Sequence, residues 1–378
     1  MTAVVGALAF MAVSFLLSWR KQRRDRREGI LLPSDAGATV RDRARERAAA
    51  AGFVPRARLD TKRGEPSDPR ADAACEAAVR GAWEPAAALL RGAGTDWWAR
   101  YQHTARLARL AADDDAWLAA WEKERPDDPD AALVRGESTI RLAWNIRGTR
   151  RAHETTREQF RGFHQVLHQA RADMARAIEL NPQDPTPLAF HIPLSYGLAD
   201  SHEAMRELWA RLVALDPYHF DGHCAALQYW CAKWQGSKEL AMTFAEHAAA
   251  TAPPASMLTL LPLIARYEHA DELRRPFTSR EARAATDAAL AALAAAPEAP
   301  AARRLRHYTA FFLARQRRYA EALEQFRLVD GYIGAAPWVY WPNPAVPYEE
   351  VRDAMLRKAG RPGGAARVSR RAPARRPS

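Results

Sequence analysis

Two histidines and two cysteines lie close together between His219 and Ser237, and both residue types can bind zinc. His219 and His223 are four residues apart, which would place them on one face of a helix. No glutamate at the HExxH position and no third ligand at helical spacing accompanies them. The segment is therefore predicted to be a core helix without a metal. An enzyme with a cleft or metal site around His219, His223 and Lys233 is the alternative interpretation.

The three cysteines add no further chemistry. Cys224 and Cys231 are seven residues apart, so on one helix their Cα atoms would lie about 10.5 Å apart, beyond the reach of a disulfide. Cys75 stands alone, and the sequence contains no CxxC pair. These thiols predict neither a disulfide framework nor a zinc ribbon, and a reducing compartment fits them best.

A second histidine pair, His164 and His168, has the spacing of a zinc-hydrolase helix. Gln165 stands where that chemistry needs a glutamate as general base. The sequence also lacks a glycine-rich phosphate loop and a GxSxG nucleophile motif. We therefore predict no catalytic residue, no bound metal and no cofactor, and the enzyme hypothesis has no motif behind it.

Prolines end three apolar helical runs at a nearly constant interval. They are Pro182, Pro217 and Pro253, and the intervals between them are 35 and 36 residues. A period near 34 residues with two helices per period is typical of helical repeat arrays. The elements that position any functional residue are therefore predicted to be stacked helix pairs.

The chain resembles the tetratricopeptide repeat family in these runs. In that family the second helix of a pair carries two small residues seven apart, an aromatic residue between them, and a proline after them. Ala241, Phe244, Ala248 and Pro253 follow this pattern fully. The resemblance implies an all-α fold, a right-handed α-solenoid spanning about residues 71–353. In the other runs the small or aromatic position is changed at Met174, Met205, Leu212 and Val329.

The same family pattern predicts which residues between His219 and Ser237 face the core and which face the groove. The family expects a large core aromatic residue thirteen positions after the proline, where this chain has Trp230. We expect a helix from Phe220 to Ala232. Residues two apart on a helix point about 200° from each other, so Gln228 is expected on the opposite, concave side.

First helices of stacked pairs would line a concave groove, and such grooves bind extended or helical peptides. An insertion near residues 145–165 either extends a helix or crosses the array, and insertions of this kind often carry binding. The predicted function is a protein–protein interaction scaffold that binds an unidentified protein or peptide partner in the groove. The predicted partner-binding residues are Tyr196, Asp221, Gln228 and Lys233 in the groove and Trp144 and Arg147 at the insertion.

Residues 2–19 are uncharged and apolar, and a basic cluster follows them directly. As a helix they would be about 27 Å long, enough to cross a thin bilayer. Because the positive charges follow the apolar run, the bulk of the chain is expected in the cytoplasm behind a single membrane anchor. A wholly cytoplasmic chain is the alternative.

The net charge of +11 is concentrated in the flanks. Residues 20–48 hold ten basic and five acidic residues, and residues 357–378 hold eight basic and no acidic residues. The nearly neutral body argues against specific nucleic-acid binding. We expect residues 20–70 to form a charged, largely disordered linker with a short helix near 40–50, and residues 354–378 to form a disordered basic tail. The proline-rich segment 336–351 should cap the last helix pair.

Overall fold

The computed structural model describes residues 38–148, 156–329 and 331–360, and within them the chain forms sixteen α-helices and no β-strand. The predicted all-α class is confirmed for these residues. Short 3₁₀ turns cover Arg56–Arg58, Met257–Leu260 and Trp338–Tyr340. The helices are α1 (Ala38–Ala50), α2 (Pro69–Val79), α3 (Glu84–Ala93), α4 (Trp97–Asp113), α5 (Ala116–Glu124), α6 (Pro129–Arg147), α7 (Arg157–Leu180), α8 (Thr186–Gly197), α9 (His202–Leu215), α10 (Phe220–Tyr229), α11 (Lys238–Thr251), α12 (Leu261–Glu268), α13 (Arg280–Ala295), α14 (Ala302–Arg315), α15 (Tyr319–Val329) and α16 (Ala345–Ala359).

Helices α2 to α16 follow a repeating packing pattern. Each even-numbered helix packs against the next even-numbered helix, so that α2, α4 and their successors form a row that ends at α16. Each odd-numbered helix from α3 to α15 packs against the even-numbered helix before it. The row is also bent inwards, because α4 contacts both α8 and α10 further along the chain.

Small side chains on three of the odd-numbered helices are buried. Ala170 and Ala177 on α7, Ala241 and Ala248 on α11, and Ala322 on α15 are all buried. Small side chains seven residues apart lie on one helix face and let a neighbouring helix approach closely. The larger Met205 and Leu212 occupy the corresponding buried positions on α9.

The insertion near residues 145–165 lengthens two helices. Helix α6 has 19 residues and α7 has 24, and they pack along each other. Helix α7 begins with a capping box, in which the Thr156 side chain accepts from the Gln159 N–H and the Gln159 side chain accepts from the Thr156 N–H. Residues 149–155 between the two helices lie outside the described residues.

Residues 38–68 differ from the expected linker, because they are folded against the C-terminal helices. Helix α1 packs on α16, and its Ala44 and Ala48, four residues apart, are buried together with Phe53. The Arg56 guanidinium pairs with the buried Glu349 carboxylate. Asp60 forms an isolated parallel bridge with Tyr332. Burial of this small apolar face therefore stabilises the folded state of the segment despite its high charge.

The proline-rich segment caps the last helix pair, as predicted. Trp338 is fully buried, its indole N–H donates to His307 Nδ1 at 2.8 Å, and its ring packs against Phe326 and Tyr348. Helix α16 continues to Ala359, beyond the expected start of the tail at residue 354, because its side chains stay buried as far as Met355.

The predicted anchor at residues 2–19 and the tail from residue 361 onwards lie outside the described residues. Among the helices that the structure describes, none is both long enough and apolar enough to cross a bilayer.

Candidate functional site

The N-terminus of α10 borders a cleft of about 270 Å³. Its walls come from the start of α4, the α9–α10 connection, the 3₁₀ turn before α12, and the residues before α14. The lining residues are Trp98, Asp216, Tyr218, His219, Phe220, Asp221, Ala255, Ser256, Met257, Leu258, Ala299 and Pro300. Two of them, His219 and Asp221, belong to residues that the sequence singled out.

His219 caps α10 and is only 4% exposed. Its Nδ1 accepts a hydrogen bond from the Gly222 N–H at 3.1 Å, so the ring proton of neutral His219 resides on Nε2. Burial lowers the pKa of His219, which favours this neutral form. Nε2 is buried and has no hydrogen-bond partner among the described residues. The buried imidazole of His219 therefore carries a donor without an acceptor among the described residues.

Asp221 on α10 forms hydrogen bonds to side chains on two other helices, α4 and α14. Its Oδ1 accepts from Arg304 Nη1 at 2.5 Å, and its Oδ2 accepts from Gln102 Nε2 at 2.9 Å. Arg304 Nη2 also donates to Gln102 Oε1 at 3.1 Å, which closes a three-residue network. Burial alone would lower the pKa of Arg304, but the Asp221 carboxylate more than offsets it, so the pKa is raised. This network holds α4, α10 and α14 together beside the cleft.

Aromatic rings form the wall next to this network. The Trp98 and Phe220 ring centroids are 5.9 Å apart. The Arg304 guanidinium carbon lies 4.8 Å from the Trp98 ring centroid and 5.8 Å from that of Phe220. A cation over a ring face at these distances is attracted by the ring electrons.

Asp216 and Tyr218 form the rim of the cleft. The Asp216 Oδ1 accepts from the Tyr218 N–H at 3.0 Å, which holds the turn around Pro217. Among the described residues, Asp216 forms no ion pair with any lysine, arginine or histidine side chain. The Tyr218 side chain is 45% exposed. The Asp216 carboxylate and the exposed Tyr218 side chain thus both border the cleft.

Most of the other predicted partner-binding residues lie inside the molecule. Tyr196 and Trp144 are buried and both pack against Trp234, with ring centroids 4.6 Å and 5.8 Å from it. Arg147 is buried with its guanidinium 5.6 Å from the Trp144 centroid. Gln228 is 2% exposed, so it does not face an open groove. Helix α4 contacts both α8 and α10 on this side of the molecule.

Lys233 is held in an internal ion pair. Its Nζ lies 2.9 Å from Glu268 Oε2, and the Tyr340 hydroxyl donates to Glu268 Oε1 at 2.9 Å. These contacts tie the α10–α11 connection to α12 and to the C-terminal cap. Lys233 therefore has a structural function in this arrangement.

The remaining residues of the histidine and cysteine segment are also packed inside. His223 Nδ1 donates to the His219 carbonyl oxygen at 3.0 Å, and burial lowers the pKa of His223 to about 4. Burial raises the pKa of Cys231 to about 12 and also raises that of Cys224. Within the described residues no group of three or more His, Cys, Asp or Glu side chains could hold a metal.

Helix α10 ends at Tyr229, and Trp230 follows as its C-cap, 9% exposed.

Sequence reasoning missed most of the cleft. Trp98 and Gln102 are four residues apart on α4, but Arg304 lies 202 residues beyond Gln102, and no spacing in the sequence joins it to them. Asp216 and Tyr218 flank Pro217, one of the regularly spaced prolines. The turn at this proline was the one feature of the sequence that could have pointed to the cleft. No family model, curated protein or solved structure matches this chain.

Proposed function

We propose that this chain is a protein-interaction module, a tetratricopeptide-like solenoid that binds a peptide segment of a partner protein. The solenoid is supported by the row of even-numbered helices, each with an odd-numbered helix packed on it. The binding proposal rests on the cleft beside α10. There the Asp216 carboxylate, which has no ion-pair partner among the described residues, lies at the rim with the exposed Tyr218 side chain and beside the Trp98 and Phe220 rings.

A peptide fits the composition of this cleft. Ligand sites combine apolar walls with a few placed polar groups. Trp98, Phe220 and Met257 provide apolar wall, and Asp216 suits a cationic group. A volume of about 270 Å³ suits one or two side chains of a peptide rather than a folded surface.

The proposed location is the cytoplasmic face of a membrane. Residues 2–19 would be the anchor, and the basic residues that follow would stay on the cytoplasmic side. The binding cleft would then be presented to soluble cytoplasmic partners.

Selection from a displayed random peptide library against the full-length chain tests the binding proposal. We expect enriched peptides whose affinity falls on Tyr218→Ala and on Asp216→Asn, because both changes alter the rim. Asn keeps the oxygen that accepts from the Tyr218 N–H and removes only the charge. Asp271→Asn, at an exposed aspartate away from the cleft, is the control. Enriched peptides that bind all variants equally would contradict the proposal.

A further inference from the structure

Arg304 shows which ligand chemistry the cleft wall accepts. Its guanidinium stacks over the Trp98 and Phe220 rings and pairs with Asp221, and all three of these residues line the cleft. Arginine suits such a place because its planar guanidinium can stack on a ring while it bonds to a carboxylate. One arginine of the chain itself, Arg304, thus already packs against this wall.

The rim of the same cleft offers a second acidic and aromatic pair. Asp216 has no ion-pair partner among the described residues, and Tyr218 beside it is exposed. The lining residues contain two aspartates and neither lysine nor arginine. Charge complementarity therefore favours a second guanidinium at the rim.

The chain carries a suitable ligand directly after α16. Residues 361–378 contain six arginines and no acidic residue. We propose that an arginine of this C-terminal segment docks at the Asp216–Tyr218 rim, so that the segment is a ligand of the cleft. The proposal rests on the proposed peptide-binding function of the same cleft.

The segment can reach this place. An extended run of 18 residues spans up to about 60 Å, whereas a domain of this size has a radius of gyration of about 20 Å. It begins after Gly360, at the end of α16, which packs on α14. Ala299 and Pro300, just before α14, form part of the cleft.

Tethering would make the segment an effective competitor. A ligand attached by a short flexible connection has an effective concentration on the order of millimolar. A partner peptide would then compete with the segment for the rim, and neutralising the arginines of the segment would remove this competition.

The test uses full-length chains and a fluorescently labelled synthetic peptide of residues 361–378, with anisotropy as the readout. One chain is wild type, and in another the six arginines of the segment are changed to glutamine. We expect the peptide to bind the glutamine chain at least about tenfold more tightly than wild type, where the tethered segment competes. Adding Asp216→Asn to the glutamine chain should weaken binding about threefold or more, as loss of an exposed ion pair requires.

Asp271→Asn in the glutamine chain is the matched control and should leave the affinity unchanged. Equal affinity for the wild-type and glutamine chains, or an equal loss with Asp216→Asn and Asp271→Asn, would overturn the inference. If library-selected peptides still bind in a manner that depends on Asp216 and Tyr218 while the segment peptide does not bind, the inference fails and the proposed function stands.

Discussion

At the level of single residues, the histidines are used as neutral core groups. Burial lowers the pKa of His307 to about 3 and those of His191 and His223 to about 4. In an unfolded chain a histidine has a pKa of about 6.5. Below that pH the unfolded chain binds more protons than the folded chain, so the stability contributed by these neutral histidines is lost as the pH falls.

His307→Gln tests this linkage. Glutamine can still accept from the Trp338 indole N–H but has no proton to gain, so the variant should lose less stability on acidification. Between pH 7.5 and pH 5.0 the wild-type free energy of unfolding should fall by about 2 kcal/mol more than that of the variant. Denaturant unfolding at the two pH values measures this difference. Parallel pH dependence of the two proteins would show that His307 is protonated in the folded state.

Trp230 and Gln228 should respond differently to substitution. Trp230 packs edge-on against Tyr229 and His202, with ring centroids 4.9 and 5.0 Å away, and Trp230→Ala should cost about 3–5 kcal/mol. The buried Gln228 Oε1 has no partner among the described residues, so Gln228→Met should be within about 1 kcal/mol of wild type or more stable. Thermal melts of both variants measure this, and a melting temperature lowered equally by both changes would contradict it.

At the level of helices, α6 and α7 pack very close to each other at Gly136. A Cβ on Gly136 would lie 3.3 Å from the Met174 Cα and 2.8 Å from its Cε. Gly136→Ala should therefore destabilise the chain by about 1–3 kcal/mol, although alanine is the better helix former. A Cβ on Gly92 of α3 would meet no atom within 4 Å, and Gly92→Ala should gain up to about 1 kcal/mol. Chemical denaturation of both variants measures these changes, and a gain at both positions would contradict the close packing.

The burial of small residues on the odd-numbered helices was predictable from sequence, and the cleft was not. Small residues seven apart and the repeat prolines mark local structure, and Ala241, Ala248 and Ala322 are buried as that pattern requires. The contacts of Gln102 with Asp221 and Arg304 depend on how far the row of helices bends, and no periodicity in the sequence encodes that bend.

At the level of the whole molecule, the two ends of the described chain meet. Helix α1 packs on α16, and the segment around Asp60 bonds to residues 331 and 333. Charge counting alone predicted disorder here, because it gives no weight to the spacing of Ala44 and Ala48 on one helix face. The segment from residue 38 onwards therefore belongs to the folded body.

Membrane fractionation tests the proposed anchor. Residues 2–19 are the one apolar run in the sequence that is long enough to insert, so the full-length chain should sediment with membranes. Deletion of these residues should release the chain to the soluble fraction. A full-length chain found wholly in the soluble fraction would contradict the anchor and leave the cleft proposals unaffected.

The most direct test of the central claim is hydrogen–deuterium exchange of the full-length chain in which the six arginines of residues 361–378 are changed to glutamine, with and without a saturating library-selected peptide. If the cleft beside α10 binds the peptide, exchange should slow in segments that cover residues 216–222 and 255–258 and the start of α4. Exchange elsewhere should change little, because the helix row is already packed around this site. Protection confined to other surfaces, with no change at residues 216–222, would contradict the account.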